Sequence, residues 1–185
     1  MTYRDLLWDV ACDQYGFVTT HDADTLGVPA VELAKLKHRG KLERRGYGIY
    51  RFPTFPTHPL DTYMLATLWA DGRGALSHET VLELHELCDV NPPKIHITVP
   101  RGYTPRRKDG QAYVVHHANL RPDELGWIKG IRAVRPATAL LQAVETIPGH
   151  LVEAAVNAAR ARGMITPEEE DHIANALASH LAGAR

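Results

Sequence analysis

Three prolines within seven residues, Pro53, Pro56 and Pro59, divide this chain. Proline fixes φ and lacks an amide hydrogen, so neither a helix nor a central strand runs through such a segment. The sequences before and after it must therefore fold as separate runs of elements. The boundary is placed there, giving a first domain over residues 1–55 and a second over 56–185. A length of 185 residues suits two small domains.

The first domain reads as helices followed by a ribbon. Thr2 and Asp5 form a capping-box pattern ahead of a helix over residues 3–15, with Leu6, Leu7, Val10 and Ala11 at helical spacing. Phe17 and Val18 make a short apolar run, and Thr19 and Thr20 can cap a brief helix over 21–26 that ends at Gly27. Pro29 suits the first turn of a third helix, which runs to about Arg39 and stops at Gly40. Beyond Gly40 the period changes to short extended runs, 42–45 and 48–52, turned at Gly46, Tyr47 and Gly48. Three helices and a two-stranded ribbon, in that order, predict a winged helix-turn-helix.

The second domain reads as α+β. Helices are expected over 60–71 and 78–87, the latter capped by Ser77. An alternating strand over 94–99 is followed, across a basic loop, by a partner over 112–117 and a short strand near 131–134. Helices return over 137–146, 151–161 and 167–181, the last opened by Thr166, Pro167, Glu168 and Glu169. The chain is thus an N-terminal winged helix followed by a mixed α/β domain with a small sheet and C-terminal helices.

Charge locates the candidate function. The net formal charge is only −1, so no global field attracts a polyanion. Locally the picture differs. Residues 1–28 carry Arg4 against Asp5, Asp9, Asp13, Asp22 and Asp24. Residues 29–52 carry Lys35, Lys37, Arg39, Lys41, Arg44, Arg45 and Arg51 against Glu32 and Glu43. The step falls at the third helix, the element that a helix-turn-helix protein inserts into the major groove. Leu33 and Leu36 should face the core with Val28 and Leu42, leaving Ala30, Val31, Ala34, Lys35 and His38 outward. Lys35 and His38 can donate to base edges or phosphates, and small Ala30 permits close approach. Arg39, Lys41, Arg44 and Arg45 would meet phosphates beside the groove, with Arg45 and Tyr47 at the ribbon tip. Thr19 and Thr20 could hold one phosphate at a helix N-terminus. A solvated cationic face, or a protein-docking module, is the plainer account of the same charges.

Other chemistry has weaker signals. Eleven histidines include His78 and His85 on one helical face near Glu79, Glu83 and Glu86, but the seven-residue step is not HExxH. His116 and His117 point to opposite faces of a strand and cannot share an ion. Ser77 and His78 lack a recognisable third group for nucleophilic catalysis, and no phosphate-binding glycine loop occurs. No metal, cofactor or enzyme activity is expected. The loop bearing Arg101, Arg106, Arg107 and Lys108 is either solvated or a contact for an RNA-handling toxin or a second DNA segment. Cys12 and Cys88 are isolated, which argues against a disulfide framework. Acids interrupt the N-terminal apolar stretch, so it does not read as a signal peptide, and no run approaches the ~20 apolar residues of a membrane span. A cytoplasmic protein is expected.

The stretch Gly16, Phe17, Val18, Thr19, Thr20, then Leu26, Gly27, Val28, then the run from Leu33 to Leu42 and the ending Gly48, Ile49, Tyr50, Arg51, resembles the N-terminal domain of AbiEi-type antitoxins. The resemblance continues through Ala75, Leu76, Ser77, His78, Glu79, through Ile95 to Arg101, and through Val134 to Leu141. It implies an antitoxin that counteracts a nucleotidyltransferase-like toxin and autorepresses its operon by binding inverted repeats in double-stranded promoter DNA. Inverted repeats would suit a homodimer on DNA. The alternative is a winged-helix regulator without a toxin partner, its second domain serving dimerisation or ligand sensing. Two departures stand out: Tyr47 occupies the ribbon tip where a more basic residue is expected, and the first helix is unusually acidic.

Overall fold

In a computed structural model of the chain, residues 2–105 and 110–183 are described. The chain is mixed α/β, with two small sheets and several helices. It forms two compact units, Met1–Arg73 with Thr104–Gly110, and Gly74–Tyr103 with Gln111–Arg185. The proline-rich segment lies inside the first unit, which extends through the helix that follows it.

The first unit opens with α1 (Tyr3–Asp13), β1 (Phe17–Thr19), α2 (Thr20–Thr25), α3 (Ala30–His38), β2 (Glu43–Gly46) and β3 (Ile49–Arg51). The capping box expected from Thr2 and Asp5 is formed. Helices α2 and α3 end alike. Gly27 and Gly40 adopt left-handed φ values of 67° and 66°, and the next amide returns to a carbonyl five residues back, Val28 to Ala23 and Lys41 to Leu36. This closure satisfies helix-terminal carbonyls that would otherwise be left open. The arrangement of α2, a glycine turn and α3 is consistent with a helix-turn-helix. Strand β3 is central in an antiparallel sheet, β1-β3-β2, with Val18 opposite Tyr50 and Arg44 opposite Tyr50 on the other side. The ribbon is thus three-stranded, because Phe17 and Val18 pair with it rather than forming a lone apolar run.

Leu7, Ala11, Val18, Ala23, Val28, Leu33, Leu36, Leu42 and Phe52 form one buried cluster under this sheet. Trp8 meets Phe52 edge to face, with ring centroids 5.0 Å apart. The proline segment is held by Arg51, whose residue is only 3% exposed. Its guanidinium donates to the carbonyls of Phe55 and Pro56 and lies 3.0 Å from Oδ2 of Asp61. Asp61 begins α4 (Asp61–Trp69) and also accepts from the amide of His58. Gly16 completes this packing: it has φ of 86°, and a Cβ there would stand 2.6 Å from the Phe55 side chain.

The second unit contains β4 (Ala75–Leu76), α5 (His78–Leu84), β5 (Ile95–Val99), β6 (Tyr113–His117), β7 (Leu125–Ile128), β8 (Ile131–Val134), α6 (Pro136–Ala143), α7 (Gly149–Ala161) and α8 (Pro167–Gly183). The strands form a mixed sheet in the order β6-β5-β4-β8-β7. Strands β5 and β6 run parallel, with Thr98 opposite His116. Strands β4 and β7 are too short or too glycine-broken to show a period. Helix α8 has the N-terminus expected of it, with Thr166 and Glu169 each donating its amide to the other's side-chain oxygen. Ser77 is the N-cap of α5 by position, but it makes no capping bond; its hydroxyl meets Nδ1 of His78 instead. Most of the basic loop lies outside the described residues: Arg106, Arg107 and Lys108.

Replacing Arg51 by Met should destabilise the first unit by about 3 kcal/mol, because it leaves a half-buried carboxylate without its cation. Adding Asp61→Leu should recover much of that loss. Amide hydrogen exchange in β1 and β3 reads the first unit separately and checks both outcomes.

Candidate nucleic-acid interface

Helix α3 buries only Leu33 and Leu36. With those two positions fixed inward, the 3.6-residue period turns Ala30, Val31, Ala34, Lys35, Lys37 and His38 to solvent, and all six are exposed. Nine residues give α3 a length of roughly 13 Å, comparable to the ~12 Å width of a major groove. Val31 is 57% exposed, a large apolar side chain held in water.

The remaining candidate residues divide by what already engages them. Arg39 and Lys41 are exposed at the closing turn of α3. Lys35 lies 2.7 Å from Glu32, and Arg45 lies 3.0 Å from Glu43. Pairs this exposed hold their cations by no more than about 1 kcal/mol, so either can exchange its partner. Arg44 donates to the carbonyl of Gly46 and sits over the Tyr47 ring, 5.8 Å from its centroid. Tyr47 is 73% exposed at the ribbon turn, where Gly48 takes φ of 66°. The amide of Thr20 donates to the carbonyl of Gly48, tying the start of α2 to that turn.

Thr19 is already engaged within the chain. It is 6% exposed, and its amide and hydroxyl both donate to Oδ2 of Asp22 while its Oγ1 accepts from the Asp22 amide. A carboxylate from the chain itself thus occupies the N-terminus of α2, where a phosphate was expected. Thr19 is a capping residue, and Thr20 is half-buried in the first helical turn. The signal was available in the sequence: Asp22 stands three residues after Thr19, the capping-box spacing.

Residues 7–53 match the AbiEi antitoxin family of transcriptional regulators. The AbiEi match begins within α1 and ends just after β3, so it takes in α3 and the ribbon and covers about a quarter of the chain. No curated protein matches the chain. Among solved structures, the RV2827C protein from Mycobacterium tuberculosis is similar over 97% of this chain and 78% of that one, with 16% identity and a TM-score of 0.49.

The second unit holds a cluster that the sequence did not bring together. His85 does not join His78; instead His78, His96 and His116 place ring nitrogens within 4.8 Å of one another. His96 and His116 share a sheet face because β5 and β6 pair in parallel register, an alignment invisible to local spacing. Burial, aided by His116, lowers the His78 imidazole to about 3, and burial also lowers His116. Burial alone would raise the Glu79 carboxyl. The contact with His96, backbone hydrogen bonding and the Thr146 hydroxyl outweigh it and hold the carboxyl at about 2.

Val31→Ala on α3 and Tyr47→Ala at the ribbon turn should each change stability by less than about 0.5 kcal/mol, as exposed side chains do. Leu36→Ala should cost about 2–5 kcal/mol through lost burial and a cavity. Hydrogen exchange of the first unit separates these outcomes.

Proposed function

We propose that this chain is a DNA-binding transcriptional regulator of the antitoxin type, which reads double-stranded promoter DNA through a winged helix formed by α1, α2, α3 and the β2-β3 ribbon. The observation that supports it most is the outward stripe of α3, exposed and cationic, within a segment matching AbiEi transcriptional regulators. In this reading α3 lies in the major groove. Ala30 and Ala34 allow the backbone close to the bases, and Lys35 and His38 contact base edges. Arg39, Lys41, Arg44 and Arg45 meet flanking phosphates, with Tyr47 at the ribbon tip against the sugar-phosphate backbone. Thr20, held beside the ribbon turn, stands next to that backbone contact.

The acids of α1 and α2 would repel a duplex that approached those helices, which restricts its approach. Binding inverted repeats of its own promoter as a homodimer, the protein would repress its operon. It would also counteract a nucleotidyltransferase-like toxin in the cytoplasm, the second half of the antitoxin role. The α3 face supports the regulator part of this reading, and the AbiEi likeness supports the antitoxin part.

Fluorescence anisotropy of the full chain with duplex from its own promoter, measured across salt, tests the reading. Affinity should fall linearly with salt on logarithmic axes, and Arg39→Ala or Lys41→Ala should each flatten that slope by about one unit. Lys35→Ala should relax base preference by about 1–3 kcal/mol at one position. Unchanged affinity and slope after Arg44→Ala with Arg45→Ala would remove the ribbon from the interface. Co-expression with the product of a neighbouring nucleotidyltransferase-like gene tests the toxin role by growth.

A further inference from the structure

We propose that the second unit carries a site for one divalent transition-metal cation of the zinc class, held by His78, His96 and His116 with the Glu79 carboxylate as fourth donor. Three elements converge there: the first turn of α5 supplies His78 and Glu79, and the paired strands β5 and β6 supply His96 and His116.

The distances suit a shared ion. Nε2 of His116 lies 3.2 Å from Nδ1 of His96, and Oε2 of Glu79 lies 2.8 Å from the same Nδ1. Two nitrogens bound to zinc at about 2.0–2.1 Å in a tetrahedron stand roughly 3.3 Å apart. Protons alone satisfy the group poorly. If Nδ1 of His96 carries its proton toward Glu79, no proton lies between the two rings unless His116 supplies one. If His116 donates to Nδ1, then Nδ1 and Oε2 face each other as two acceptors. Accordingly Oε2 is buried without a hydrogen bond of acceptable geometry, although the Glu79 side chain is only 10% exposed. A buried carboxylate oxygen in that condition is costly. A cation placed between the three atoms accepts all of their lone pairs at once.

His78 is the third nitrogen donor. Its ring stacks on His116, with centroids 3.5 Å apart and planes 15° from parallel, so it must turn out of the stack to aim a lone pair at the ion. Its backbone is strained to reach this position, with φ of 51° in a non-glycine residue. Such strain persists where surrounding structure imposes it, and it concentrates at functional positions. The amide of His78 is fixed by the side chain of Gln142, and the amide of His96 by the hydroxyl of Thr80, so both ligand-bearing segments are pinned. Imidazole donors select zinc, copper or nickel over magnesium and calcium. Four protein donors make a closed centre, which is structural rather than hydrolytic.

The full chain, freed of metal with a chelator, is titrated with Zn²⁺ against a chromophoric chelator, and with Co²⁺ followed by visible absorption. The expected results are one ion per chain, an intense tetrahedral Co²⁺ spectrum, and a Zn²⁺-dependent rise in Tm. His96→Gln and His116→Gln should weaken binding by more than the roughly 10–100-fold that loss of a merely supporting partner costs. Glu79→Gln should alter the Co²⁺ spectrum, and His117→Ala, an exposed neighbour on the opposite strand face, should bind as the wild type does. Circular dichroism confirms that each variant is folded. Absence of one-to-one binding in the folded wild type overturns the proposal. So does wild-type affinity in both glutamine variants, or a weak octahedral Co²⁺ spectrum.

Discussion

Burial of Leu33 and Leu36 in the core of the first unit orients everything that helix α3 offers to a partner. The two leucines are its only buried residues, and they sit three apart, on one side of the helix. Their contacts with Val28, Leu42 and the side chains beneath the sheet fix the helix about its own axis. Once that rotation is set, the alanines, valine, lysines and histidine on the remaining positions have no direction left but outward. A helix of nine residues has little intrinsic stability, since short helices barely form alone. The cationic face therefore exists because of apolar packing on the other side, helped by Lys35, Lys37 and His38 lying at the negative end of the helix dipole. The side chains that favour the helix end are also exposed.

Arg51 performs a comparable task one element later. Prolines remove amide donors, so the segment after β3 cannot be tied down by a backbone ladder. Its carbonyls are instead collected by one guanidinium, which also holds Asp61 at the head of α4. The match to AbiEi regulators stops at Pro53, while the compact unit extends to Arg73. Arg51 is the link between these two limits, because it lies inside the matched stretch and its partners lie outside it. A cation that counts toward the basic charge of residues 29–52 is thus removed from any nucleic-acid surface. Summing charge along a sequence cannot separate it from Arg44 or Arg45, although its neighbours Ile49 and Phe52 mark a buried strand.

Local signals in the sequence carried most of the first unit. Capping boxes, helix-ending glycines and the switch from helical to alternating period involve residues within four positions of one another, and these located α1, α2, α3 and the ribbon to within two residues. The second unit is less legible for a physical reason. Its sheet contains two parallel pairs, β4 with β8 and β5 with β6, that join strands separated in the chain, and β4 and β7, of two and four residues, are too short to carry a period. The same limit applied to chemistry. His78 and His85 share a helix and looked related; His78, His96 and His116 share no local pattern and are brought together only by the pairing of β5 with β6. Thr19 shows the opposite case: Asp22 stands three residues on, a purely local capping-box spacing, and its carboxylate takes the amide at the start of α2.

The histidine cluster also bears on how β6 stays in place. Among the described residues β6 is an edge strand, paired only to β5 and in parallel, which is the slightly weaker arrangement. It is reached through a crossover in which residues 106–109 lie outside the described structure. Such a strand needs side-chain anchorage beyond its ladder of backbone bonds. Tyr113, Val114 and Val115 are only half-buried, so apolar burial offers little. The ring of His116, stacked on His78 and touching His96, is the contact that fastens β6 to α5 as well as to its neighbour. Stacked neutral imidazoles give a modest attachment, whereas one ion bonded to both strands and the helix gives a strong one. The register of β6 and the donor set of the cluster are therefore one problem, since a slip of a single residue would turn His116 to the opposite face and replace it with His117 or Val115.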